Sequence, residues 1–228
     1  MSEIRDMLKT ALPQADEQAI DRFEIYHRLL LEWNERMNLT AITDPKEVVE
    51  KHFGDSLAAL PWLKPGMSVI DVGTGAGFPG VPLLIMEPQL KLTLADSLQK
   101  RLTFLDALLK ELGLQASLVH GRAEDLGQNR LYREQFDVAL SRAVASLPVL
   151  LELTTPFLKV GGSAIAYKGD AAEEVKSAKG AAFLLHVDLR QVDLDSTLGK
   201  RCLIFAHKNA PTPKAYPRKA WTPNKTPL

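Results

Sequence analysis

From Ser68 onward, short runs rich in β-branched residues alternate with helical runs. SVIDVG (68–73) leads into GVPLLIME, and KLTLADS (91–97) into LQKRLTFLDALLKELG. ASLVHG (116–121) follows, FDVALSRA (136–143) leads into SLPVLLELTTPFL, and GGSAIAYKG (161–169) precedes a helical stretch over 171–184. Consecutive parallel strands need a crossover between them, so this order predicts βαβ units and an α/β fold with helices on both faces of the sheet. The last two runs, HVDLRQVDL and RCLIFAHK, are separated only by the turn-like DSTLGK. They are expected to form an antiparallel hairpin at one edge.

Ahead of this region, Ile20, Phe23, Tyr26, Leu30, Trp33 and Met37 recur at spacings of three and four, which predicts a helix over 14–37 with Asp16 as its N-cap. A second helix is expected from Pro45 to Leu60, ended by Pro61. The chain divides on this reading into an N-terminal helical subdomain (1–62), an α/β domain (63–208) and a tail (209–228). The tail, APTPKAYPRKAWTPNKTPL after Asn209, carries five prolines, whose locked φ and missing N–H argue against a helix or a central strand.

Composition narrows the class. The one cysteine, Cys202, leaves no disulfide framework and no Cys-cluster zinc site. The opening MSEIRDMLKTALPQ has no uninterrupted apolar run, and no apolar stretch of about 18 residues is available to span a bilayer, so a protein of the reducing cytoplasm is expected, with no membrane and no metal. The 28 basic residues balance the 28 acidic ones, but five of the basic residues and no acid fall within 208–228, leaving 23 against 28 in the rest. A cationic tail on an acidic body is a pattern for binding an anion such as RNA.

The most informative stretch is VIDVGTGAGFPG (69–80): an apolar strand, glycines at 73, 75, 77 and 80, then an apolar helix. Glycine serves where the backbone takes φ > 0 or approaches a ligand closely, and this turn falls at the carboxyl edge where open α/β sheets bind ligands. Twenty-three residues past Gly73, at the end of the next strand, Asp96 is placed to accept ribose hydroxyls. Taken singly, the glycines also read as packing for a tight turn, and Asp96 as an N-cap. A G-x-G-x-x-G at Gly75, Gly77 and Gly80 would suggest NAD, but Gly73 closes the strand and Phe78 stands at the third glycine's place; no GK[ST] follows, so there is no P-loop. Asp71, two residues before Gly73, suits a cofactor with a cationic amine. A carboxylate, an amine and a ribose together describe S-adenosylmethionine.

Closer reading is more specific. NLTAI (38–42), His52-Phe-x-Asp55-Ser56, DVGTGAGFPG (71–80), Arg122-Ala-Glu124, Ser141-Arg-Ala143, Lys168-Gly169 and the tail pattern PRKxxTPxKxPL resemble, in order and over nearly the whole chain, the methyltransferase G family of the small ribosomal subunit, also called the glucose-inhibited division protein B family. The chain departs from that family at Trp221, where a glycine is expected. The resemblance implies a class I S-adenosylmethionine-dependent methyltransferase, Rossmann-like, with a mostly parallel seven-stranded sheet and an antiparallel edge hairpin. It implies methyl transfer to N7 of a guanine in the decoding-region loop of 16S ribosomal RNA, free or within the 30S subunit. It also carries cofactor contacts onto Gly73, Phe78, Ala123, Glu124 and Arg142, beside Gly75, Gly77 and Asp96 from the loop reading.

Guanine N7 has a lone pair and no proton, so no general base is expected; Arg142, ending the fourth strand, is the candidate for holding the guanine or a phosphate. Glu124 also reads as part of a helix start, and Arg142 as a surface arginine. Lys168, Lys214, Arg218, Lys219, Trp221 and Lys225 are the expected RNA contacts, with the tail dispensable for the cofactor. The competing reading of the tail is a strap that stabilises the acidic body. A methyltransferase for a small molecule or protein, an NAD-dependent oxidoreductase and a binding module without catalysis are the rival functions.

Overall fold

The computed structural model describes residues 3–196 and 198–228, so Thr197 in the DSTLGK turn and the first two residues lie outside it. Strands β1 (Ser68–Val72), β2 (Lys91–Asp96), β3 (Ser117–His120), β4 (Phe136–Arg142), β5 (Leu158–Lys168), β6 (Val187–Leu194) and β7 (Arg201–Lys208) form one sheet in the order β3-β2-β1-β4-β5-β7-β6. The first five are parallel, and β7 runs antiparallel to both β5 and β6, which is the expected edge hairpin. Chain order reverses between β1 and β4, creating the crevice at the strands' carboxyl ends where such sheets bind ligands.

Side-chain alternation sends the strands into two cores. Leu140 and Ile165 face one with the N-terminal helices, α4 (Gly80–Met86) and α5 (Gln99–Leu112); Ala139, Ala164 and Ile204 face the other with α6 (Ala123–Gln128), α7 (Leu147–Thr154), α8 (Ala172–Ser177) and α9 (Lys179–Leu185). The helical reading of 171–184 is thus divided in two around Ala178.

Among the N-terminal elements, α2 (Glu17–Met37) has Asp16 as N-cap, its side chain accepting from Ala19 N. The preceding α1 (Glu3–Ala11) is an addition to the sequence reading. It is short, but Leu8 is fully buried and Arg5 ties it to Glu17, Asp21 and Glu24 of α2 or its start. The single helix expected over 45–60 is corrected: α3 (Pro45–Glu47) opens into a π-helical turn, Val48–Gly54, and then a 3-10 turn, Leu57–Trp62, that contains Pro61. The wide turn buries Val48, Val49 and Phe53 while His52 and Asp55 reach the end of β4. These N-terminal residues share one core with the sheet.

The tail lies folded against the body. Thr212, Pro217 and Pro223 are buried, and residues Thr222–Lys225 form a short helix, α10. Arg133 donates to the carbonyls of Thr212 and Tyr216 at 2.8 Å each, and Lys208, fully buried, donates to Glu134 at 2.7 Å. Arg218, expected on the RNA side, instead grips Glu152 of α7, which is completely buried; the attraction of an enclosed carboxylate for a guanidinium decides its direction.

Candidate active site

The glycine loop is built on buried carboxylates. Asp71 Oδ2, at the end of β1, accepts from Thr74 Oγ1 (2.8 Å) and from Gly80 N (2.9 Å), so it braces the loop from beneath. Its other oxygen has no partner, and burial pushes the carboxyl up to about 6. Asp96, 2% exposed at the end of β2, accepts from Gly75 N through Oδ2 and from Leu98 N through Oδ1, both at 2.9 Å, and pairs with Arg101 at 3.2 Å. The two strands therefore clamp the loop through one acid each.

The glycines divide into different roles. Gly75, at φ +61, has open space where a Cβ would stand, whereas a Cβ on Gly77 would meet the Tyr26 hydroxyl at 2.7 Å. Gly77 is thus needed for packing: Tyr26 of α2 reaches over it to donate to Ala76 O at 2.6 Å. Phe78 is stacked between Tyr26 (5.2 Å) and His52 (4.5 Å) and is absent from the lining of the cavity beside Asp96 and Glu124.

A cavity of about 210 Å³ opens where the crevice was expected, lined by Gly73, Asp96, Arg122, Ala123, Glu124 and the tail residue Asn224, among others. Glu124, 2% exposed, accepts from Arg122 Nη2 (2.8 Å) and from Trp221 N (3.0 Å). Burial alone would raise its carboxyl; these donors outweigh it and hold the group below its ordinary value. A larger cleft of about 710 Å³ lies at the opposite ends of the strands, around Asp137, Lys159 and Gly161, away from every motif residue.

At the end of β4, Arg142 is fastened by the N-terminal segment. Its Nη1 donates to Asp55 Oδ2 (3.0 Å) and Lys51 O (3.1 Å), its Nη2 donates to His52 Nδ1 (3.3 Å), and the guanidinium lies 5.1 Å from the Phe78 ring centroid. Because arginine only donates, His52 Nδ1 accepts and Nε2–H is left to donate to Thr40 Oγ1 at 2.8 Å. Burial and the neighbouring cation lower the imidazole to about 4, so it is neutral at pH 7. Asp55 also pairs with Arg201 at 3.1 Å. The segments NLTAI, HFxDS and SRA, far apart in the sequence, meet here through Thr40, His52, Asp55 and Arg142; their occurrence in one chain is the only sequence signal of that meeting. Lys168 donates to Ala145 O (2.8 Å) and Glu174 (2.7 Å), which orders the turn after β4.

The profile of the GidB family, rRNA small subunit methyltransferase G, matches residues 19–200. A Desulfitobacterium hafniense protein named Ribosomal RNA small subunit methyltransferase G is 50% identical over 214 residues, covering 92% of this chain and 89% of that one. Its Acetivibrio thermocellus namesake is 48% identical over 218 residues, covering 93% and 90%. This chain belongs to the rRNA small subunit methyltransferase G family. A Pyrococcus furiosus methyltransferase structure superposes with a TM-score of 0.58 at 17% identity, over 82% of this chain and 98% of that one, and so shares the fold.

As a member of the rRNA small subunit methyltransferase G family, the chain is an S-adenosylmethionine-dependent rRNA methyltransferase. The residues present fit that cofactor. Two nearly enclosed carboxylates, Asp96 and Glu124, line one cavity, and Gly75 leaves the loop open. Each Asp96 oxygen has accepting capacity beyond the backbone amide it already takes. Among the described residues no helix is long and apolar enough to cross a membrane, and no cluster of potential metal ligands occurs.

Asp96→Ala is expected to weaken S-adenosylhomocysteine binding by roughly ten- to a hundredfold, the worth of a charge-assisted hydrogen bond, with some loss of stability as Gly75 N and Leu98 N lose their acceptor. Calorimetric titration measures the first and thermal melting the second; an unchanged affinity would place the ribose elsewhere.

Proposed function

We propose that this chain methylates N7 of a guanine in the decoding-region loop of 16S rRNA, in the cytoplasm. The carrying observation is Arg142, held at the carboxyl edge of β4 beside the glycine loop by Asp55, Lys51 and a neutral His52. S-adenosylmethionine, when bound, would supply an electrophilic methyl on a sulfonium whose sulfur keeps the bonding pair and leaves as a neutral thioether, with no protonation needed. Asp96 would take the ribose, Gly73 and Gly75 the loop side, and Ala123 and Glu124 the adenine end. Arg142 holds the incoming guanine or its phosphate by hydrogen bonds, and the packed Phe78–His52 stack shields that side from water. N7 has no proton to lose, so alignment and desolvation suffice. His52 fits this account: it is spent on orienting Arg142, and a site histidine lowered to about 4 is no base poised for neutral pH.

Lys214, Lys219 and Lys225 are exposed on the outer side of the tail, where they meet phosphates of the RNA, while Arg218 serves the fold. The reading is tested by tritium transfer from S-adenosylmethionine to undermodified 16S RNA, both free and in 30S subunits, followed by mapping of the product. Label at guanine N7 in the decoding loop supports it; label elsewhere, or none in either substrate, overturns it.

A flat pH profile is expected. Single-turnover methyl transfer should vary less than about threefold between pH 6.5 and 8.5, since no side chain must change protonation in that window. Asp71, raised to about 6, confines any limb to the acid side, where its protonation loosens the hold on Thr74 and Gly80. A limb centred at about pH 7 or above, inside the window and clear of Asp71, would instead put a titrating side chain such as an imidazole into the chemistry.

A further inference from the structure

Trp221 adopts φ +71 and ψ −18, in the left-handed region that glycine takes freely and a side chain with a Cβ resists. The glycine expected there on family grounds is explained by this turn. Tryptophan holds the same conformation although its side chain is 60% exposed, so core burial does not compensate the strain. What the ring touches is Arg122: the guanidinium lies 3.9 Å from the ring centroid, and the same arginine donates to Glu124 at 2.8 Å. The Trp221 amide donates to the identical Glu124 oxygen at 3.0 Å. Three residues on, in α10, Asn224 lines the cavity alongside Asp96, Ser97 and Glu124. The strap thus reaches the cavity at two points, one through a backbone and ring contact and one directly.

We propose that Trp221 and Asn224 are the closing wall of the cofactor site: Asn224 is a contact for the nucleoside half, and Trp221 is a positioning residue that sets Arg122 and Glu124. This rests on the placement of the adenosine at Asp96 and Glu124 given above. The chemistry suits it. An asparagine amide offers both donors and an acceptor, which matches the edge of a purine or a ribose hydroxyl. A cation stacked on an indole loses rotamer freedom, so Arg122 presents its hydrogen bond to Glu124 already oriented. The cavity of about 210 Å³ is smaller than the ~300–1,000 Å³ of most small-molecule sites, so wall residues contribute strongly to what fits.

The test measures stability and affinity in the same proteins. In Trp221→Gly the backbone strain is relieved, so the melting temperature is expected to stay level or rise, while affinity for S-adenosylhomocysteine falls by about three- to tenfold. A merely structural tryptophan would lower both or neither. Asn224→Ala should leave the melting temperature unchanged and lower affinity by a similar factor, with the same loss for 5′-methylthioadenosine, which lacks the amino-acid end of the ligand. Asp96→Ala is the control for the site itself. If it weakens binding while Trp221→Gly and Asn224→Ala bind as the unaltered protein does, the wall is refuted and the site stands. Loss with S-adenosylhomocysteine but not with 5′-methylthioadenosine also refutes it, because Asn224 would then face the wrong half. If Asp96→Ala binds normally, the cavity is not the cofactor site and both readings fall.

Discussion

A chain ending at Asn209 is expected to melt roughly 6–20 °C below the full-length protein, from about 3–5 kcal/mol at ~2–4 °C per kcal/mol for a domain of this size. The cost is set chiefly by one carboxylate. Glu152 is completely buried in α7, and its partners come from the tail: Arg218 N at 2.8 Å, Nε at 2.9 Å and Nη2 at 2.6 Å. Removing the tail takes away the counter-ion and all of these donors at once, and breaking a buried pair by deleting one partner is far more costly than never having had the pair. Arg133 loses its carbonyl acceptors as well, and Pro217 leaves its place against Gly127. Glu152→Leu in the shortened chain should therefore recover part of the loss, because the unpaired charge goes with it. Cofactor affinity should fall too, since Glu124 and Arg122 lose Trp221. Scanning calorimetry decides the first claim: a truncated protein melting within about 2 °C of the intact one would show that Glu152 finds another partner.

The second large effect is expected at Arg142. Arg142→Ala should lower single-turnover methyl transfer by roughly ten- to a hundredfold, the range of a charge-assisted hydrogen bond to the transition state. Arg142→Lys should rescue little. A single ammonium cannot reproduce the planar fork that reaches Asp55, Lys51 O and His52 at 3.0, 3.1 and 3.3 Å at once. Asp55 keeps its pairing with Arg201, so the fold is expected to survive both substitutions. A lysine variant working within about threefold of the unaltered protein would mean that charge alone matters there, and that the positioning argument is wrong.

The tail and the Arg142 site depend on contacts between residues far apart in the chain, and the glycine loop largely does not. The β1–loop–β2 unit was legible because its determinants are close in sequence: an apolar strand, glycines at positive φ, and an acid 21 residues beyond Gly75 that binds that glycine's amide. That the first five strands run parallel followed from alternation, and the edge hairpin from a turn with no room for a helix. Even within the loop, however, Tyr26 gives Gly77 a role that the local sequence does not show. Gly75 faces open space, and Gly77 makes way for a hydroxyl 51 residues earlier in the chain.

The alternation of strands and helices, the glycine turn, the N-cap at Asp16 and the acid at Asp96 are properties of short windows, where periodicity, φ preference and side-chain reach act over neighbours. By themselves those windows determined the fold class and marked the loop at which the cofactor is proposed to bind. The wide turn at Val48–Gly54, the fastening of Arg142 and the fate of the tail were decided only by tertiary structure. Five prolines told of a backbone that avoids long helices, but not whether it docks. Docking was settled by Glu152, 66 positions from Arg218, and by Glu124, 97 positions from Trp221. A buried charge draws its partner from wherever the folded chain brings one within reach, and separation along the sequence carries no information about that distance.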